Sequence, residues 1–201
     1  MHAGFPQFQP HFFETLTQGE HLPLRDSVEG ELGLIFSQLA AGLLEDGLGA
    51  LFTAKHLRHH EDKALAFLRD QVIFQDGVFQ GKYLIRTRKP GDNFNVFLEF
   101  CPQPEAVAEA VRRGRLPDSS AFVRTAAMRE AEADALERTL GQVDLVIRFR
   151  DIESIRSLIG QGEVDVVGLL LQNTVQLMGN LGYLFKLGAV GAALQQAMSS
   201  R

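Results

Sequence analysis

Tryptophan is absent from the chain, tyrosine occurs twice, and cysteine once, at Cys101. A single cysteine excludes an intrachain disulfide framework and a cysteine-built metal cluster. A reducing compartment fits that usage, and the cytoplasm is the expected location. Positive charge is not in excess either. Twenty Lys and Arg face 25 Asp and Glu, a formal net charge of −5, so no basic face for nucleic acid is expected. No run of about 18 uninterrupted apolar residues occurs, so no transmembrane helix is expected. The opening stretch MHAGFPQFQPHFFETL has no basic start and no continuous apolar run, unlike a signal peptide. The closing Ser-Ser-Arg is not the peroxisomal tripeptide. A GxSxG elbow, a Walker loop and a GxGxxG fingerprint are all missing. The glycines of GLGA (47–50) and GAVGAA (188–193) lack a strand-to-helix context and read as helix loosening or close helix packing.

What is present is a 201-residue chain, 45% hydrophobic and 22% charged, an ordinary composition for one folded domain. Phenylalanine supplies 15 of the 17 aromatic residues and fills apolar space without a polar group to satisfy. It serves either a dense core or a chamber for an apolar ligand. Residues 1–26 read as an irregular N-terminal arm carrying Phe5, Phe8, Phe12 and Phe13, with Asp26 or Ser27 as a helix cap. Residues 27–201 read as a single domain. Helical spacing runs from Val28 to Leu44 and again from Ala50 to Arg69, with Gly42, Gly47 and Gly49 weakening the join. The period then becomes two. A hairpin is expected at Asp76-Gly77, a strand from Val78 to Arg88, a turn at 89–92, and a strand from Asn93 to Cys101. In that last strand Phe94, Val96, Leu98 and Phe100 share a face, as in a half-buried antiparallel sheet.

Residues 102–141 read as a helical insertion: one helix opened by Pro104 and closed at Gly114, and a longer charged one from Pro117 to Leu140. Gln142 to Arg150 alternates as a strand, and Asp151 is placed to cap a short helix with Ile152, Ile155, Leu158 and Ile159 inward. A leucine-rich helix, a strand over Asn173–Met178 and a helix over 181–197 complete the chain. The fold class is α+β, one antiparallel-rich sheet covered by helices on one face, with additional helices.

The segment DLVIRFRDIESIRSLIGQGEVDVVGLLLQNTVQLMGNLGYLFKL, from Asp144 to Leu187, resembles the C-terminal half of the sterol carrier protein 2 (SCP-2) family. Asp151, Gly162 and Gly179-Asn180 fall where that family carries a post-strand Asp, a Gly turn and a strand ending in Gly plus a polar residue. The resemblance implies a leading helix, a β meander, a crossover strand, a helical pair, a last strand and a C-terminal helix. It also implies an apolar tunnel for a fatty acid, acyl-CoA, sterol or other long-chain lipid, with no catalytic residue; no metal or cofactor is expected. Candidate lining residues are Phe94, Leu98, Ile147, Leu170, Val175, Leu177, Leu184 and Phe185. Leu181, Leu184, Phe185 and Leu194 give the last helix an apolar side, and Gly182, Gly188 and Gly191 weaken it as a lid would require.

Other constellations carry less. His56 and His60 are four apart, a spacing that can hold zinc given a third ligand, but no HExxH signature is present and Lys55, Arg58 and Lys63 surround them. They read as a solvated helix face. Arg86-Thr-Arg-Lys89 and Arg112-Arg-Gly-Arg115 suit an anionic headgroup or CoA phosphate; otherwise they are a solvated edge strand and a helix C-terminus. Cys101 has no adjacent base. The expected function is a non-enzymatic lipid carrier. The alternative is a scaffold or accessory protein, for example in a lipid-soluble quinone pathway, with a filled cavity and extra helices for a protein partner or a second copy.

Overall fold

A computed structural model describes residues 26–53, 58–159 and 166–199. Residues 1–25 of the expected N-terminal arm, His56 and Gly162 lie outside them. Helix α1 (Asp26–Thr53) is unbroken through Gly42, Gly47 and Gly49, where two helices separated by a loosened joint were expected. Tertiary packing overrides the local glycine penalty: α1 lies along the sheet edge formed by β4 and β5, defined below. Helix α2 (Arg58–Phe67) ends in a π-helical turn, Leu68–Val72. A small hairpin follows, β1 (Ile73–Phe74) and β2 (Gly77–Val78), with Gly77 at φ 141°, which favours glycine.

The main sheet has five strands: β3 (Gly81–Thr87), β4 (Asn95–Phe100), β5 (Val123–Ala127), β6 (Leu145–Phe149) and β7 (Val175–Gly179). Their spatial order is β5-β4-β3-β6-β7. All neighbours are antiparallel except β3 and β6, which run parallel with Arg86 opposite Arg148. Helices α3 (Pro104–Arg112), α4 (Ser119–Phe122) and α5 (Glu130–Arg138) lie between β4 and β6 in the chain. Helices α6 (Ile152–Ile159) and α7 (Val166–Leu171) join β6 to β7, and α8 (Gly182–Ser199) closes the described chain. No described helix is long and apolar enough to cross a membrane.

Two further sequence expectations fail. The charged helix expected from Pro117 to Leu140 is broken into α4, β5 and α5. The stretch is therefore not a purely helical insertion, because it supplies an edge strand of the sheet. Cys101 N–H bonds Phe122 O at 2.7 Å, and Phe100 then pairs with Val123 across the ladder. The β4 edge offers unpaired backbone groups, and Val123 and Thr125 suit a pleated surface. That long-range pairing outweighs the helical spacing of Phe122, Ala126 and Ala133.

The second correction concerns the sheet faces. Residues 83 and 85 of β3, 98 and 100 of β4, and 145 and 147 of β6 point to one side, into the main core with Leu68, Val107, Phe122 and Val190. Phe94 and Val96 continue that side against Ala41, Ile152 and Ile155. The other side was expected to face solvent. Instead Leu84 and Val146 are buried there under Ala133 of α5, and Asn95 and Phe97 are buried as well. Helices therefore cover both faces, and among the described residues the second face is covered by α5. This explains why β4 is buried almost throughout and not in alternation.

Candidate functional site

The eight residues expected to line an apolar site separate into three groups. Leu98, Ile147 and Val175 are buried in the main core, and Leu177 and Leu184 pack against it. Phe94 lies on the same sheet face but belongs to the neighbouring cluster beneath α1. Leu170 and Phe185 are on the surface, 40% and 77% exposed.

The core is not uniform along the sheet. Around β3, β4 and α4 it is closed: Leu68, Tyr83, Leu98, Phe100 and Phe122 are all within 1% of complete burial. Toward β7, α7 and α8 it loosens. Leu169, Leu177, Tyr183, Leu184 and Leu187 pack on the core but stay partly exposed. Around that looser end stand Leu170, Leu171, Leu181 and Phe185, with Leu171 83% exposed and Leu181 53%. From Val166 to Phe185 the chain carries no charged residue. An exposed apolar rim beside an incompletely buried core is a surface that gains from being covered.

The first turn of α8 is firmly attached. Gly179, at φ 115°, lets the chain approach so closely that a Cβ there would lie 2.3 Å from Asp144 O. Asn180 N–H donates to that same carbonyl at 2.9 Å, and Asn180 Oδ1 accepts from Gly182 N–H at 2.9 Å, as a capping side chain does. Tyr83 Oη donates to Tyr183 O at 2.9 Å from inside the core. Lys186 Nζ donates to Gln71 O and sits 4.5 Å above the Phe74 ring. A lid made of α8 would therefore have to move beyond this turn, since its start is fixed to β3, to the β6 entrance and to the hairpin.

The groups able to do chemistry are restrained. Burial pushes the Cys101 thiol up to about 12, so it stays protonated at neutral pH and is a poor nucleophile. Burial also raises the Tyr83 phenol, helped by Tyr183 and Asp144 nearby. Asp151 caps α6 as the sequence indicates: its Oδ1 accepts from Ser154 N–H at 2.8 Å and from Ser154 Oγ at 2.6 Å. The Ser154 hydroxyl is the main reason its carboxyl titrates below the ordinary range. Asp92 Oδ2 accepts from Ile152 N–H at 2.9 Å, and its pKa is raised because burial outweighs that bond. Among the described residues no three His, Cys, Asp or Glu side chains gather as metal ligands would.

The sequence reading missed a charged layer on the second sheet face. Arg86-Thr-Arg-Lys89 was expected on a solvated edge, yet β3 is the central strand and Arg86 is buried. Its Nη1 pairs with Asp134 Oδ1 at 2.7 Å and with Glu137 Oε2 at 2.9 Å, both from α5. Glu137 Oε1 also pairs with Arg148 of β6. The available signal was the repeat of Ile-Arg-x-Arg at 85–88 and 147–150, which parallel pairing sets side by side.

No family model, curated protein or solved structure gives a significant match to this chain.

Proposed function

We propose that this protein is a non-enzymatic carrier that holds a long-chain apolar ligand against the β6–β7 end of its core. The observation that carries the reading is the change in burial along one sheet face. The core is closed under α4 but open-edged under α7 and α8, where uncharged Leu170, Leu171, Leu181 and Phe185 stand exposed. An acyl chain laid there would take apolar surface out of water, at about 25 cal/mol for each Å². The order of elements supports an SCP-2-like domain: a long helix, a three-stranded antiparallel meander, a crossover to a parallel strand, two helices, a last strand and a closing helix. In this reading Leu177 and Leu184 touch the ligand, and Leu170 and Phe185 form its mouth. The buried, protonated Cys101 thiol supplies no nucleophile for turnover.

The test is a fluorescent fatty-acid titration of delipidated protein, with native mass spectrometry of freshly purified material beside it. Saturable one-site binding and a co-purifying lipid mass are expected. No saturable binding across fatty acids, acyl-CoA and sterols would overturn the carrier reading.

One observation favours a second reading, a scaffold whose cavity is filled by its own side chains. Tyr83, Phe100 and Phe122 meet edge-on at ring-centroid distances of 5.7 and 5.9 Å in the centre of the core. A ligand-free mass together with a stable homodimer would favour it.

A further inference from the structure

We propose that the arginines at the carboxyl ends of β3 and β6 form a binding site for a phosphate monoester or inorganic phosphate, on the sheet face opposite the apolar core. The site does not rest on the carrier reading. Arg86 and Arg148 face each other across the parallel ladder, and Arg88 lies two residues further along β3. Alternation puts all three on the α5 side. Strand rise and spacing place the Cα atoms of Arg88 and Arg148 roughly 8 Å apart, so their guanidinium groups can meet.

The three differ in how they are satisfied. Arg86 is neutralised by Asp134 and Glu137, and Arg148 shares Glu137. Among the described residues Arg88 has only neutral partners, the side-chain oxygen and carbonyl of Asn173. Asn173 Oδ1 also accepts from Gln176 Nε2 at 3.0 Å, so this one oxygen serves two donors. Among the described residues no carboxylate pairs with Arg88.

The buried side-chain nitrogen and oxygen atoms left without a partner among the described residues are Arg88 Nε and Arg148 Nε. A buried N–H without an acceptor is costly and calls for an occupant. Two such donors on adjacent strands of one face call for an occupant with several acceptor oxygens. A carboxylate could satisfy one fork, as Glu137 already does between Arg86 and Arg148. A tetrahedral phosphate offers separate oxygens to both Nε–H groups and complements the charge that Arg88 carries uncompensated. The side chain of Arg148 is 30% exposed while its Nε is buried, so the guanidinium has to turn for a small anion to reach that N–H.

The topology agrees. β3 and β6 are the parallel pair of this sheet, and the chain leaves their carboxyl ends in opposite directions, toward β4 and toward β7. In open α/β sheets such a divergence at the carboxyl ends of parallel strands marks the ligand site, and here it falls beside Arg88 and Arg148.

The experiment follows the Nε–H signals of Arg88 and Arg148 by nitrogen-15 NMR during titration with inorganic phosphate at constant ionic strength. Saturable shifts of both signals, absent with chloride, are expected. R88K keeps the charge and removes the Nε–H; it should weaken phosphate binding by about tenfold or more. E137Q removes the competing carboxylate and should strengthen binding severalfold. A second arm offers vesicles of phosphatidylcholine with and without phosphatidic acid. Phosphate shifts together with vesicle binding that R88K abolishes identify a lipid headgroup as the source. Phosphate shifts without vesicle binding identify a soluble phosphomonoester. Equal responses to phosphate and chloride, or an R88K protein that binds phosphate as tightly as the native chain, would overturn the proposal.

Discussion

Gly33→Ala sets two effects of opposite sign against each other, and the structure decides between them. Gly33 is in α1, where replacing glycine by alanine ordinarily favours the helix by about 0.8–1 kcal/mol. A Cβ at this position would lie 1.5 Å from Asp92 O, a backbone atom of the β3–β4 turn. Carbon and oxygen need roughly 3.5 Å, so helix and turn must separate by about 2 Å. That turn is held at both sides. Ser37 Oγ donates to Gly33 O at 2.9 Å while accepting from Asn95 N–H at 2.9 Å, and Asp92 Oδ2 holds the N-terminus of α6. Overpacking costs about 1–3 kcal/mol, and a broken buried hydrogen bond about 1 kcal/mol more. The clash therefore wins, for a net loss of about 1–3 kcal/mol. In a chain of this size each kcal/mol lowers Tm by about 2–4 °C. Gly42→Ala is the control on the same helix: Gly42 is exposed and a Cβ there meets nothing within 4 Å. It should gain up to about 1 kcal/mol. Thermal melts of both variants beside the native chain make the comparison. If Gly33→Ala raises Tm as Gly42→Ala does, α1 does not pack on that turn and the description of this corner is wrong.

Three further outcomes are expected. Phe185→Ala should change stability by less than about 0.5 kcal/mol, because the ring is exposed, while weakening fatty-acid binding; a loss of about 3–5 kcal/mol in a urea melt would instead make Phe185 core. Cys101 should resist iodoacetamide at neutral pH until denaturant is added, as a thiol raised to about 12 is almost wholly protonated; rapid labelling of native protein would contradict its burial. Asp151→Ala should cost about 1 kcal/mol at neutral pH through the lost α6 cap. Since the folded Asp151 titrates below its unfolded value, that contribution is present above the unfolded pKa and fades as pH falls through the folded one. Urea midpoints should therefore converge for native and variant proteins in strong acid and differ at neutral pH.

The parts of the fold legible in the sequence are those whose signal is local. The Asp76-Gly77 turn, the strand ending at Phe100, the helix from Pro104 toward Gly114 (φ 67°) and the Asp151 cap need only a few neighbouring residues, and each has its counterpart in the structure. β5 was not legible, because Arg124 and Thr125 become strand only when Glu99 and Leu98 lie opposite them. The burial of Asn95 and Phe97 depends on a second covered face that no local period reveals. Of the candidate lining residues, Leu177 and Leu184 could be found by hydrophobicity alone, whereas the exposure of Leu170 and Phe185 depends on the angles of α7 and α8. The arginine layer required knowing that two Ile-Arg-x-Arg segments run parallel and that α5 places Glu137 between them.

Tyr83 and Tyr183 meet at the junction of β3 and α8, with ring centroids 6.1 Å apart, and they are the two tyrosines of a chain without tryptophan. Their pairing has a spectroscopic consequence. Ultraviolet emission excited at the tyrosine band arises from this one corner, and the near-ultraviolet circular dichroism of the phenols is generated there too. Each optical signal is thus a local gauge of whether α8 is seated. Detachment of that helix would register fully while the meander stayed intact, and loosening at the α1 end would pass unseen. A melting curve recorded by tyrosine emission should be compared with far-ultraviolet dichroism before either is taken as the unfolding of the whole protein.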